Sequence, residues 1–265
     1  MKKVIDLIAG RKLFQRFFEL VHRVSVYAMN YGNGDVRYSG ETNTARYVHR
    51  KLKSVSNELI LFDVGANQGK YTQRLLKVFG DVNVKIHAFE PSPVIYQVLK
   101  KNLADIPNVT LHQFGFSSGD EKRTLFKNGA MSGQSSVYNR RLEHFNMKME
   151  MQEDISLTTL DRFCDTQSIR HIHFLKMDVE GHEFACFQGA AGLLSRGAID
   201  FIQFEFGGCN IDARTYFQDF WYLLHRDYRF YRVVKDGLVP IDEYNERWEI
   251  FKNINFLLEK RSLNG

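Results

Sequence analysis

Asp63, Gly65 and Gly69 stand in the stretch LFDVGANQGKYT, residues 61–72, directly after an apolar run. A glycine at 65 lets a strand turn sharply, and one at 69 lets the next helix approach the strand closely. Glu90 follows in HAFEPSP, 21 residues beyond Gly69. At the end of a second strand its carboxylate can accept hydrogen bonds from both hydroxyls of a ribose, as an acid does in dinucleotide-binding folds. The loop narrows the choice of ligand. A pyrophosphate site uses G-x-G-x-x-G with amides facing the phosphates, whereas the spacing here is D-x-G-x-x-x-G. Asp63 would repel a pyrophosphate but suits a cationic ammonium or sulfonium. S-adenosylmethionine carries both, together with a ribose for Glu90.

A second set of acids lies further on, with Asp178, Glu180, His182 and Glu183 in KMDVEGHE and Glu205 in FQFEFGG. Ligands of open parallel sheets sit outside the carboxyl ends of the strands. Four of the five expected strand ends carry carboxylates there. Helix caps and first-turn acids account for one or two of these, not for four. Lys176 shares a strand face with Asp178, so an ion pair is as good a reading of that acid as catalysis. Glu183 complements a helix N-terminus. Glu205 is costly to bury unpaired and is placed on the acceptor or cofactor side. His182 has the one near-neutral unperturbed pKa of the group, although a helix start would also accommodate it. Glu41 is a further contributor from outside.

These residues need a scaffold of alternating strands and helices. Periodicity predicts strands at Leu59–Val64, Val84–Phe89, 109–114, 173–179 and 201–206. Helices are expected from Gly69 (stripe Tyr71, Leu75, Leu76, Phe79), at 94–103, at 183–194 and at 216–224. The rhythm implies parallel pairing through right-handed crossovers. Strands at 228–234 and 254–259, joined without a helix, fit an antiparallel edge. The expectation is therefore an α/β, Rossmann-like, seven-stranded and mostly parallel sheet with an antiparallel C-terminal edge strand. Residues 117–160 break the rhythm and form a substrate-facing insertion. Residues 1–52 form a helical extension packed on the core, and 53–265 the main domain.

The chain has 265 residues, 44% hydrophobic and 25% charged, with four prolines. That suits one α/β domain without a linker. Residues 1–25 carry six basic groups against Asp6 and Glu19, a net +4 of the chain's +5. The near-neutral remainder is unlike a nucleic-acid-binding surface. The N-terminal segment reads as an amphipathic helix, with Phe14, Phe17, Phe18 and Val21 at helical spacing, too short and charged to span a membrane. It packs on the domain in this reading, with peripheral membrane contact as the alternative. Cys164, Cys186 and Cys209 form no C-x-x-C pair, which speaks for a reducing, cytoplasmic compartment and against a disulfide framework or thiolate zinc site. His171 and His173 share a strand face and are read as structural; no metal site is expected.

The strings VGANQGKYT at 64–72, FEPSP at 89–93, KMDVEGHE at 176–183, Phe204–Glu205, Leu160–Asp161, SGE at 39–41 and NFLLEKR near the end resemble the FkbM family of S-adenosylmethionine-dependent methyltransferases. The matches run in order from about residue 39 to 261. The resemblance implies a class I methyltransferase fold and methyl transfer to an oxygen, commonly a hydroxyl of a sugar or natural product. It implies that Asp63, Gly65, Asn67, Gly69 and Glu90 hold the cofactor and that Ser117 lies at the adenine edge. The tip of the fourth strand faces the methyl group in that fold, making Asp178, Glu180 and His182 candidates for the base. A divalent ion at Asp178 is the lesser alternative. Nucleic-acid methylation is disfavoured by the absence of an (Asp/Asn)-Pro-Pro-aromatic string and of a Pro-Cys pair. A non-enzymatic nucleotide-binding protein would keep the loop and Glu90 but need no acids at the fourth strand. A small molecule that is not a sugar is the other acceptor class.

Overall fold

A computed structural model describes residues 2–32, 38–130 and 133–264. Eleven strands occur among them: β1 Leu59–Val64, β2 Val84–Phe89, β3 Val109–His112, β4 Gly115–Phe116, β5 Glu121–Lys127, β6 Met151–Thr158, β7 Ile172–Met177, β8 Ile199–Phe206, β9 Tyr228–Val234, β10 Gly237–Ile241 and β11 Ile254–Lys260. The helices are α1 Lys2–Ile8, α2 Gln15–Ala28, α3 Glu41–Leu52, α4 Lys70–Val78, α5 Pro93–Leu103, α6 Leu160–Thr166, α7 Glu183–Gln188, α8 Ala191–Ser195, α9 Cys209–Ala213 and α10 Phe217–Leu224.

Eight strands form the main sheet in the order β10-β9-β11-β8-β7-β1-β2-β3. The five strands from β3 to β8 run parallel, and the chain reverses direction in strand order beside β1. The mostly parallel α/β sheet expected from the sequence is present, with one strand more. The C-terminal strand β11 is antiparallel as expected, but it lies inside the sheet, between β8 and β9. The edge is β10, a short strand with a proline that folds back on β9. A five-residue strand carrying a proline gives little periodic signal, which is why sequence patterning passes over it.

Alternation along the strands splits the core. Leu59, Leu61, Ile86 and Ala88 face one layer with Leu75, Phe79 and Leu99 of the α4 and α5 side. Phe62, Val64, Phe89, Ile202 and Phe204 face the other, with Leu160, Phe187, Phe217 and Phe220. The apolar stripe of α10, Phe217, Phe220, Trp221 and Leu224, is buried throughout, and Phe217 and Phe220 lie against Phe256 and Phe204 at centroid distances of 4.6 and 4.8 Å. Covering both faces is what a parallel sheet requires.

The expected third strand is shorter than its pattern and stops at His112. Gly115–Phe116 then pair with β6 in a separate sheet, β4-β6-β5, built from the insertion. A Cβ at Gly115 would come within 2.8 Å of Leu157, so this crossing needs glycine. The single helix expected over 183–194 is two, α7 and α8. At Gly189 between them a Cβ would lie 2.0 Å from the Ser117 carbonyl, and that close approach replaces helical continuity.

Of the N-terminal extension, α3 buries Thr44, Ala45, Val48 and Leu52 against the sheet. Helix α2 meets the core at its last turn, through Val26 and the following Tyr31. No helix among the described residues is long and apolar enough to cross a membrane. All three cysteines are buried and free.

Candidate active site

The carboxyl ends of β1, β2, β7 and β8 surround two adjoining cavities. The first, of about 450 Å³, is walled by polar groups that include Glu41, Tyr71, Arg74, Lys176, Asp178 and Glu205. The second is more apolar and runs past Glu90, Ile95, Phe116, Leu125, Ile155 and Leu157. Gly65, Asn67, Gly133 and Asp178 line both, so the two form one elongated site pinched at the loop after β1.

That loop is tightly constrained. Gly65 has φ +81°, and a Cβ there would meet the Asp178 carbonyl oxygen at 1.9 Å. The tips of β1 and β7 are therefore in backbone contact, which only glycine allows. Gly69 has φ +84°, and its missing side chain admits Leu99 and Leu103 of α5, not the strand. Asn67, at φ 50°, turns the chain between them.

Asp63 is fully buried below the loop. Its Oδ2 accepts the Thr72 hydroxyl at 2.6 Å, while Oδ1 has no hydrogen-bond partner and lies 4.0 Å from Lys176 Nζ. Burial pushes the Asp63 carboxyl up, and Lys176 and Thr72 pull it back. Lys176 also reaches Asp178 Oδ2 at 3.0 Å and sits over the Tyr71 ring, 5.1 Å from its centroid. Burial works against the lysine charge, but Asp178 and Asp63 outweigh it and hold the ammonium above its ordinary range.

Glu90 is fixed before any ligand arrives. Its two oxygens accept the backbone N–H groups of Asn67 and Ser92 at 3.0 and 2.9 Å. Behind it, Ser92 caps α5 and donates to Glu153 at 2.5 Å, and the fully buried Lys127 reaches Glu153 at 2.8 Å. The insertion sheet thus braces Glu90. No sequence spacing joins Lys127 and Glu153 to Glu90, because β5 and β6 bring them there.

Ser117 is buried, its hydroxyl 2.6 Å from Glu121 Oε1 and 3.0 Å from His182 Nε2. His182 is buried too, and its Nδ1 lies 3.1 Å from the Tyr138 hydroxyl. Burial, with Arg123, lowers His182 to about 4, so it is neutral and has both ring nitrogens engaged. It lines the apolar cavity beside Glu90, away from Glu41 and Glu205. Glu180, at φ 53°, pairs with Arg140 at 2.7 Å; burial and then Asp178 raise it to about 8. Glu183 accepts the Val179 N–H at 2.9 Å and closes the turn into α7.

Glu205 differs from all of these. Its carboxyl lines the polar cavity and has no hydrogen-bond partner among the described residues. Burial, then Asp178, Glu180 and Glu183, raise its pKa well above the carboxylate range. Glu41 lies on the same cavity, 3.0 Å from Arg74. Its position depends on Gly40, where a Cβ would strike the Val234 carbonyl at 2.2 Å.

His171 and His173 lie at the opposite end of the sheet. His171 Nε2 is 2.8 Å from Asp200, and His173 Nδ1 accepts the Ile60 N–H at 2.9 Å. A neutral His173 bonded that way carries its proton on Nε2, which leaves no lone pair there for a metal.

The arrangement fits a cationic adenosyl cofactor on its own terms. An apolar slot with a preset carboxylate suits adenine and ribose. The buried, unsatisfied Asp63 Oδ1 and the mutual repulsion of Asp178, Glu180 and Glu205 favour positive charge nearby. A model of the Methyltransferase FkbM domain matches residues 63–230. The chain belongs to the FkbM methyltransferase family. Its cofactor is S-adenosylmethionine. No curated protein matches the chain in sequence. Among solved structures it is similar to a methyltransferase FkbM from Methylobacillus flagellatus KT, at 15% identity and a TM-score of 0.45 over 91% of this chain and 60% of that one. It therefore spans 60% of the length of the M. flagellatus protein. It is also similar to an rRNA methylase from Streptococcus thermophilus, at 14% identity and a TM-score of 0.42 over 83% and 93% of the two chains.

Proposed function

We propose that this FkbM methyltransferase transfers a methyl group to a hydroxyl of a sugar or glycan, in polysaccharide or natural-product biosynthesis. The observation that carries the reading is the polar cavity, where Glu205, without a hydrogen-bond partner among the described residues, faces a wall of amide, hydroxyl and charged groups. Such a surface suits an acceptor with several hydroxyls better than an aromatic or a lipid. The near-neutral charge beyond the first 25 residues argues against RNA or DNA.

Bound S-adenosylmethionine supplies a methyl group already activated on a sulfonium. The chain's own residues then have two tasks, to hold the acceptor oxygen in line and to take its proton. Glu90 and the backbone at Asn67 hold the ribose, and Asp63 with the loop at Gly65 forms the charged end of the cofactor site. Asp178 stands at the pinch between the cavities, where it positions the reacting groups while Lys176 fixes one of its oxygens. Glu205 is the base. Its raised proton affinity makes it a stronger acceptor of a hydroxyl proton than an ordinary carboxylate, and the positive charge of the cofactor favours its ionised form. His182 and Ser117 form the floor of the adenosine side, and Glu180 is held by Arg140 as part of the wall.

The test is incubation of the purified protein with methyl-labelled cofactor and extracts of polysaccharide-producing cells, followed by hydrolysis and sugar analysis. Label in an O-methyl sugar is expected. Label recovered in RNA, or only in a small molecule that is not a sugar, overturns the acceptor assignment.

A further inference from the structure

The apolar face of α2 is open to solvent. Leu13, just ahead of the helix, and Phe17, Leu20, Val21, Val24 and Tyr27 recur at helical spacing and are all exposed, Leu13 at 84% and Tyr27 at 72%. A stripe of this width ordinarily faces a core, and a contiguous exposed one marks an interaction surface. Arg11 and Lys12 stand at its start, and Arg16 and Arg23 lie two turns apart along one flank; all four are exposed. Most of the net positive charge of the chain is concentrated in this segment.

We propose that α2 is a membrane-surface anchor that lies flat on an anionic bilayer, with its stripe at the acyl boundary and its arginines at the lipid phosphates. The helix has 14 residues, about 21 Å, against roughly 30 Å of hydrocarbon, so it lies on the membrane and does not span it. Charge selects the occupant. Pairing the stripe with a second copy would bring together two segments that each carry +3 over residues 11–28 (four basic groups against Glu19), whereas an anionic surface attracts the arginines and buries the apolar side chains at once. The other end of the helix is tied to the active site. Arg232 donates to the Met29 carbonyl at 2.5 Å and lies over the Tyr31 ring, and the Gly32 N–H donates to the Asn253 carbonyl at 2.8 Å. Asn30 and Asn253 line the polar cavity, so docking holds the rim of that cavity at the bilayer surface.

The experiment is sedimentation of the full chain with vesicles of phosphatidylcholine alone, or of equal parts phosphatidylcholine and phosphatidylglycerol. Binding to the anionic vesicles alone is expected. Arg16→Gln with Arg23→Gln should weaken it roughly thirtyfold, and binding should fall further in high salt. Phe17→Ser with Leu20→Ser and Val24→Ser should abolish it. S-adenosylhomocysteine affinity, measured on the same preparations, should be unchanged and shows that the variants are folded. Equal sedimentation of the wild type and the serine variant overturns the proposal. So does an unbound wild type, including one that dimerises through this face in analytical ultracentrifugation.

Discussion

The backbone N–H of Asn67 donates to Oε2 of Glu90 across 3.0 Å, so the loop after β1 sets the carboxylate at the end of β2. With Ser92 holding the other oxygen at 2.9 Å, each oxygen keeps a second lone pair able to accept a hydrogen bond, which the proposed role assigns to a ribose hydroxyl. The clamp is preorganised at the cost of burial, which raises Glu90 to about 7 against the pull of those two N–H groups and Lys127.

This gives opposite pH trends for the free and the bound protein. An acid with a raised folded-state pKa stabilises the fold below its unfolded pKa, and the contribution is lost as pH rises through the folded value. Glu90 and Glu183, both raised to about 7 by burial, should therefore make the ligand-free protein melt at lower temperature as pH rises through 7. Cofactor binding should strengthen over the same interval, because the ionised carboxylate is the better acceptor of ribose hydroxyls. Calorimetric titration of S-adenosylhomocysteine on either side of pH 7 checks this. Glu90→Ala should cost about 2 kcal/mol of binding, and Glu90→Gln should remove most of the pH dependence. Affinity in Glu90→Ala equal to that of the wild type would remove the ribose assignment.

Gly65→Ala should damage both stability and cofactor affinity. The new methyl would sit 1.9 Å from the Asp178 carbonyl oxygen, on a residue at φ +81°. The left-handed conformation alone costs about 1 kcal/mol in a residue with a side chain, and relieving the contact must part β1 from β7. Gly119→Ala is the matched control, since a Cβ there meets nothing within 4 Å. Thermal melts of the two variants should differ by several degrees, and the control should match the wild type.

Much of this site was legible in the sequence, and the limits are physical. Gly65, Glu90, Asp178 and Glu205 lie at strand ends, so strand periodicity together with the rule that ligands meet carboxyl ends places them in one region. The loop's spacing also spoke against a pyrophosphate. Side-chain partners were less visible. His182 in sequence is a titratable residue beside acids, and burial between Ser117 and Tyr138 makes it a neutral wall. Lys127, Glu153 and Arg140 come from the insertion, whose pairing is set by a small sheet with little periodic signal. The position of β11 inside the sheet depends on tertiary packing of its aromatic face, which its own alternation does not encode.

Lys127 is fully buried, and its ion pair with Glu153 is the main support behind Ser92 and Glu90. Lys127→Met should destabilise the protein by about 3 kcal/mol, because it strands a carboxylate that is mostly shielded from water. Lys127→Met with Glu153→Met removes the stranded charge and should recover much of that loss. If Ser92 is braced through this pair, the double variant should stay weak in S-adenosylhomocysteine binding even where its denaturant midpoint returns. Recovery of both together would mean that the pair supports the fold but not the clamp.

Glu205 and Asp178 line the same polar cavity but are held differently, and their variants should separate in kinetics. Asp178 is locked to Lys176 at 3.0 Å, so Asp178→Asn leaves the buried ammonium with Asp63, 4.0 Å away, as its remaining close partner. Cofactor affinity, which depends on charge at this pinch, should then fall together with turnover. Glu205 has no such partner among the described residues. Glu205→Gln keeps the shape of the side chain and removes its ability to take a proton, so kcat should drop by about 100- to 10,000-fold while the KM for the cofactor stays close to that of the wild type. Solution pH adds a second readout. The wild-type rate should rise with pH as Glu205 ionises, since burial and neighbouring acids hold its pKa high, and the glutamine variant should lose that limb. A glutamine variant with near wild-type kcat would move the base to Asp178, whose asparagine variant would then carry the loss of turnover.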